Sequence, residues 1–300
     1  MTKVFISYCH EQGQWVWDRL VPCLKAGGPE VLIDRERFEA GKGVVGQMDA
    51  MQDQAHKHLL VLSEEYLKSS YCRHEMNRAI KVDPKFERGV AIPVMRGTCT
   101  LPNKIKKPNP LYVDLRKDKE ADPWTLLFNQ CNADLGTTAP SWLTARDEIV
   151  RFLKRKQSVS LVVKSNAAWR GLVEQIGSDH LPALATVDLE GPGTASRQGL
   201  LTEILKALGN RVSLPDEPKD LVEFGRVFES QPGVSYLALT HFDMVPHRPN
   251  YDVDLLAGLK YLIMDSRKLV LLAQSRTPFA NLLPRGHPLS EIDIKTVELR

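Results

Sequence analysis

Over the first 132 residues, short solid apolar runs alternate with longer stretches in which apolar residues recur at helical spacing. The runs fall at 4–7, 31–33, 59–62, 90–95 and 111–113, each bounded by charged or turn-forming residues. Runs apolar at every position predict strands buried on both faces. Helix-length segments between them predict a parallel sheet covered by helices on both sides. In the first such segment Trp15, Trp17, Leu20, Val21 and Leu24 mark a core face, and Gly27, Gly28 and Pro29 end the helix. A charged stretch at 116–122 leads into a helix predicted over 123–131, whose Trp124, Leu127 and Phe128 face the sheet.

The segment 133–142, with Asp, Gly, Thr and Pro, reads as a linker. Thr144 is the expected N-cap of a helix over 145–156, although Glu148 stands one position too far along for a capping box. Apolar runs resume at 159–163, 183–187, 236–239 and 269–273, with helices such as 199–208 between them. The resulting organisation is a domain over 1–132, a linker over 133–142 and a second α/β domain over 143–300. No internal repeat at a solenoid period is present.

Composition narrows the class. A chain of 300 residues that is 43% hydrophobic has room for two cores. Forty basic residues face 37 acidic ones, a net charge of +3, with no basic block or stripe, which argues against direct nucleic-acid binding. Cys9, Cys23, Cys72, Cys99 and Cys131 are odd in number and form no CxxC pair, so neither a disulfide framework nor a metal site is expected. Reduced thiols, the lack of a signal-peptide pattern and the lack of any run of ~18 apolar residues point to a soluble cytoplasmic protein without a membrane partner.

In parallel sheets of this kind ligands bind beyond the carboxyl ends of the strands. The residues to inspect are therefore Ser7, Tyr8, Cys9 and His10 after the first strand, and Asp34 and Arg35 after the second. The second strand opens into DRERFEAGKGV at 34–44, a polar loop with two glycines. After the third strand comes YCRHE at 71–75, in which Tyr71 and Glu75 stand at i and i+4 and share one helix face.

The ordered set of VFISY at 4–8, LID followed by EAGKG at 39–43, and LLVLSEEYLKSSYC ending at Cys72 with Glu75 three residues on resembles the Toll/interleukin-1 receptor (TIR) family over roughly 1–132. The resemblance implies a flavodoxin-like, five-stranded parallel sheet and an enzyme that cleaves NAD+. It implies that Glu75 is the catalytic glutamate of a WCxxE-like motif, here with Tyr71 in place of Trp and with Cys9 where Ser or Arg is frequent. It implies a nucleotide pocket drawn from Tyr8, Cys9, His10, Asp34, Arg35, Tyr71 and Cys72. It further implies an assembly loop carrying Glu39, Gly41, Lys42 and Gly43, through which the domain associates with itself and becomes active. No cofactor is expected, NAD+ entering as substrate. The chemistry suits a single carboxylate: nicotinamide departs as a neutral molecule from a pyridinium, so no general acid is needed for it. What remains is positive charge on the ribose carbon, which one positioned carboxylate stabilises. Hydrolysis to ADP-ribose and cyclisation are both open outcomes, and a non-enzymatic TIR adaptor is the alternative.

In the second half, the strand, turn and helix over 158–176 resemble a phosphate-binding loop without its glycines: Lys164 and Trp169 stand at the glycine positions, and Arg170 and Gly171 where Lys and Ser/Thr belong. Thr240 and His241 come after the run at 236–239 where a magnesium-binding pair of acids belongs. LVLLAQSR at 269–276 is similar to a sensor strand of signal-transduction ATPases of the AAA-like class. The resemblance implies a degenerate, non-hydrolysing P-loop ATPase-like domain that receives an activating protein or small-molecule signal. Asp243 and Arg276 are its candidate residual functional positions, each equally open to a structural role.

Overall fold

The computed structural model describes residues 1–37, 39–164, 167–209, 221–284 and 286–300, with backbone only for Arg35 and Arg37. The chain divides into two units, Met1–Leu143 and Thr144–Arg300. Both are α/β, and each is built on one five-stranded parallel sheet.

In the first unit the strands are β1 (Lys3–Ser7), β2 (Glu30–Leu32), β3 (Lys57–Leu62), β4 (Ala91–Met95) and β5 (Val113–Asp114), in the order β2-β1-β3-β4-β5. The central strands are buried at nearly every position, as solid apolar runs in a covered sheet require. The helices of this unit are α1 (13–26), α2 (Asp34–Arg37), α3 (Val44–Gln54), α4 (Glu64–Lys68), α5 (Ser70–Val82), α6 (Asn103–Lys106) and α7 (Ala121–Cys131). Two expectations give way here. Leu111 is 78% exposed and the last strand is only Val113–Asp114, because an edge strand paired on one side needs few apolar residues. Trp17 is half-exposed, because α1 contains a π-helical stretch, Val16–Leu20, whose wider turn moves the buried stripe onto Trp15, Val16, Leu20 and Val21.

Helix α8 (Ala139–Lys154) begins six residues before the expected start and runs through Thr144, so residues 139–142 of the expected linker are helical. Pro140 lies in its first turn, where a missing N–H costs no helical bond, and Trp142 and Leu143 are buried. The second unit contains β6 (Ser158–Val163), α9 (Trp169–Gln175), β7 (Leu184–Asp188), α10 (Arg197–Ala207), α11 (Leu221–Ser230), β8 (Ser235–Thr240), α12 (Val253–Met264), β9 (Leu269–Ser275), α13 (Phe279–Leu282) and β10 (Ile294–Leu299). Its sheet order is β10-β6-β9-β8-β7. One face packs on a core in which Leu237, Leu239 and Leu271 meet Ile204, Phe224, Phe228 and Leu259. Among the described residues no helix is long and apolar enough to cross a membrane.

Candidate functional site

Parallel pairing brings the carboxyl ends of β1, β3 and β4 to one edge of the first sheet, with Ser7 in register with Leu60. Two capping serines then set the two helices after β3. Ser63 caps α4 by accepting from the Tyr66 N–H at 3.1 Å, and Ser69 caps α5 by accepting from the Cys72 N–H at 3.3 Å. The first cap sets Tyr66 inside the core and the second sets the start of the helix carrying Glu75.

Glu75 is 8% exposed. Ser7 Oγ donates to its Oε2 at 2.5 Å, and Ser7 Oγ in turn meets the hydroxyl of the fully buried Tyr66 at 2.7 Å. No described residue bonds the other carboxylate oxygen. Burial pushes the Glu75 carboxyl up to about 7, the Ser7 hydroxyl opposes that rise, and the nearby Asp34 and Asp49 carboxylates add to it. The backbone is held as well: Gln52 Nε2 donates to the Glu75 carbonyl at 2.8 Å.

A cavity of about 230 Å³ opens over Glu75. Tyr8, Cys9, His10, Asp34, Tyr71 and Cys72 all line it, together with Phe5, Ile6, Val44, Met48 and Ser69. Of the residues singled out in the sequence, the Arg35 side chain alone lies outside the described residues. Tyr8 is fixed by donating to Asp34 Oδ1 at 3.0 Å and by accepting from Trp17 Nε1 at 3.1 Å. Tyr71 is 54% exposed and forms the rim, so it is not a core aromatic. Burial raises both thiols, Cys72 to about 12, and neither is available as a thiolate near neutral pH. His74 turns away from the cavity to Asp49 Oδ1 at 2.9 Å.

The loop at 39–43 leads into Val44, which lines this cavity. Glu39 and Lys42 pair at 2.6 Å, Gly41 takes φ +84°, and Gly43 caps α3. Beyond it Val44 and Val45 are both exposed apolar residues. Ser7 was visible in the sequence as a strand end, but its partner Tyr66 and the brace from Gln52 carried no signal, since both depend on how neighbouring helices pack.

At the same edge of the second sheet lies a cavity of about 450 Å³, lined by Trp169, Arg170, Glu190, His241, Gln274 and Arg276 among others. The Trp169 indole stands edge-on to the His241 ring at 5.2 Å, and the Arg170 guanidinium lies 4.8 Å over the indole. Aromatic and guanidinium groups thus fill the space beside the first turn of α9; residues 165–166 of the preceding turn lie outside the described residues. His241 has a left-handed backbone, φ +52°, and Gln274 Oε1 accepts its N–H. Its Nδ1 meets Asp188 Oδ1 at 2.6 Å, and its Nε2 lies 3.6 Å from Glu190 and 3.5 Å from Arg170. Asp188, Glu190 and His241 form a group with metal-ligand chemistry that the sequence did not reveal. The adjacent guanidinium places a fixed positive charge where a cation would sit. Asp243 is structural: its carboxylate accepts from the N–H groups of Arg276 and Thr277.

Comparison with known proteins gives three findings. The family model for the TIR domain matches residues 4–127. Human Toll-like receptor 1 is 29% identical over 72 residues, 24% of this chain and 9% of the receptor, and hamster (Cricetulus griseus) Toll-like receptor 2 is 28% identical over 75 residues. The chain therefore spans about a tenth of the length of these relatives. Among solved structures, the TIR domain of a Toll-related receptor from Hydra magnipapillata is similar at 20% identity and TM-score 0.38, over 43% of this chain and 97% of that one. A Walker-type ATPase of Pyrococcus abyssi is similar at 14% identity and TM-score 0.36, over 51% of this chain and 53% of that one.

Proposed function

Because residues 4–127 are a TIR domain, we propose that the cavity over Glu75 cleaves NAD+ to nicotinamide. The observation that carries this reading is a carboxylate with 8% exposure at the floor of a cavity edged by aromatic rings, one oxygen held by Ser7 and the other without a partner among the described residues. The bond between ribose carbon and pyridinium nitrogen breaks with its electrons passing to nicotinamide, which leaves neutral. The Glu75 carboxylate stabilises the positive charge left on the carbon, and an oxygen or ring nitrogen then takes that carbon to give ADP-ribose or a cyclic product. Tyr71 offers a face for stacking at the rim, and Tyr8, fixed by Asp34 and Trp17, a polar wall.

A cavity of about 230 Å³ holds the nicotinamide-ribose end of the substrate and leaves the remainder outside. A second copy docking on the loop at 39–43 and on exposed Val44 and Val45 supplies the missing wall, which makes activity conditional on self-association. In this scheme the protein is a cytoplasmic immune or defence effector. Its second unit is the receiver of a protein or small-molecule signal and turns over no ATP. The test incubates purified protein with NAD+, alone and after forced clustering, beside Glu75→Gln, with products separated by chromatography. Nicotinamide release that is undiminished in Glu75→Gln would remove the mechanism. The exposed valines also favour a second reading, an adaptor that only recruits other TIR domains. Such a protein keeps its function in Glu75→Ala and loses it when residues 39–43 are replaced.

A further inference from the structure

At the opposite end of the first sheet, where β3 and β4 begin, a cavity of about 600 Å³ lies beneath the far halves of α3 and α5. Its wall carries Arg78, Lys81 and Arg88 against a single carboxylate, Asp53. Arg78 is already turned toward acids, with Nη2 2.5 Å from Asp53 and Nε 3.1 Å from Asp49. Lys81 and Arg88 have no carboxylate partner among the described residues. Arg88 commits one guanidinium N–H to the Val82 carbonyl. The neighbouring Asp83 carboxylate accepts from the main-chain N–H groups of Arg88 and Val90, one on each oxygen, and does not line the wall.

The floor is polar as well. His58 lines the cavity at 3% exposure, and its Nδ1 has no hydrogen-bond partner among the described residues. An imidazole nitrogen in that state is costly to keep unless a ligand or a ring rotation pairs it. Gln52, also 3% exposed, accepts from Arg78 Nε at 3.2 Å and so fixes the guanidinium in place. Two cations without a carboxylate partner among the described residues, Lys81 and Arg88, stand beside the ion-paired and braced Arg78 and an imidazole, and in a space of this size they match a doubly charged tetrahedral anion with a small organic body attached.

We infer that this cavity is a binding site for a small phosphorylated molecule, recognised by Arg78, Lys81 and Arg88 with His58 at its floor. The site lies on the sheet edge away from Glu75 and does not depend on the NAD+ reading. Because Gln52 bonds both Arg78 and the Glu75 carbonyl, occupancy on this side bears on the backbone that carries the carboxylate.

The full chain is titrated with inorganic pyrophosphate by calorimetry, beside the double charge reversal Lys81→Glu, Arg88→Glu. Both side chains are exposed, so the variant keeps its fold, which thermal denaturation verifies. The expected result is saturable binding that the double variant weakens by roughly tenfold or more. A second measurement tracks the His58 imidazole by NMR, which shifts on addition of pyrophosphate in the parent and not in the variant. Absence of saturable binding, binding of equal strength in the variant, or an unmoved His58 resonance at saturation would each overturn the assignment.

Discussion

The cavities at the carboxyl edges of the two sheets occupy the same place in the same kind of architecture, yet their charges are treated in opposite ways. Over the first sheet, Glu75 is buried beside other carboxylates, and Ser7 is the one hydrogen-bond donor to its carboxylate among the described residues. Over the second, Asp188 is bonded by His241 and by the Glu190 N–H, and His241 lies near Arg170. One edge stores an uncompensated charge, while the other has matched its charges to one another. Position on a parallel sheet marks where chemistry is possible, and the pairing of the charges is what makes the first edge the one proposed to carry it.

The largest effect expected from this contrast is in NAD+ cleavage. Glu75→Gln keeps an acceptor for Ser7 but removes the charge, and nicotinamide release falls by about 10²–10³-fold. Next is the pH dependence. With its carboxyl near 7, the active form of Glu75 is the deprotonated one, so cleavage rises from pH 6 to 8 by about tenfold and then levels off. Ser7→Ala removes the bond that opposes the rise. Its profile then shifts to higher pH, with a few-fold lower rate at pH 7. A profile that is flat over this range would dissolve the contrast between the two edges.

Stability tests the contrast from the other side. The Glu75 carboxyl is raised in the folded state, so the protein carries no penalty below the unfolded value near 4.5, loses stability as pH climbs toward 7, and levels off above. Glu75→Gln is expected to stabilise the chain at pH 8 by up to about 3 kcal/mol, with the gain vanishing near pH 4, as measured by urea denaturation. Asp188 runs the opposite way. Burial works against its charge, but the Glu190 N–H and His241 hold its carboxyl below the ordinary value. Its contribution is present above about 3.8 and is lost as pH falls further. Asp188 is largely exposed, so Asp188→Asn costs under about 1 kcal/mol at pH 7. The smallest signal of all is expected from magnesium-ATP, which should give no heat of binding and no phosphate release.

Much of the fold was legible because solid apolar runs leave few alternatives to buried parallel strands; Tyr8 to His10 and Asp34 lie where those strands stop, and Tyr71 to Glu75 follow β3 by one short helix. The parts that escaped share a cause. The π stretch in α1, the early start of α8 and the shortened β5 each depend on tertiary packing that local spacing does not record. Tyr66 and Gln52 were hidden for the same reason: nothing near them in the chain marks a tyrosine as a partner of Ser7 or a glutamine as a brace for Glu75. The Asp188, Glu190 and His241 group comes from two separate strand ends and becomes visible only once β7 and β8 pair.

The elevated Glu75 carboxyl also sets a ceiling. A group that titrates near 7 is already about half charged at neutral pH, so completing its ionisation raises the active fraction by no more than roughly twofold. If the proposed NAD+ cleavage is switched on by self-association, any larger activation has to come from geometry: how long the substrate dwells, how it is turned toward the carboxylate, and how well water is kept from the reacting carbon. Charge at this site behaves as a standing bias, and the gain of the system lies in alignment.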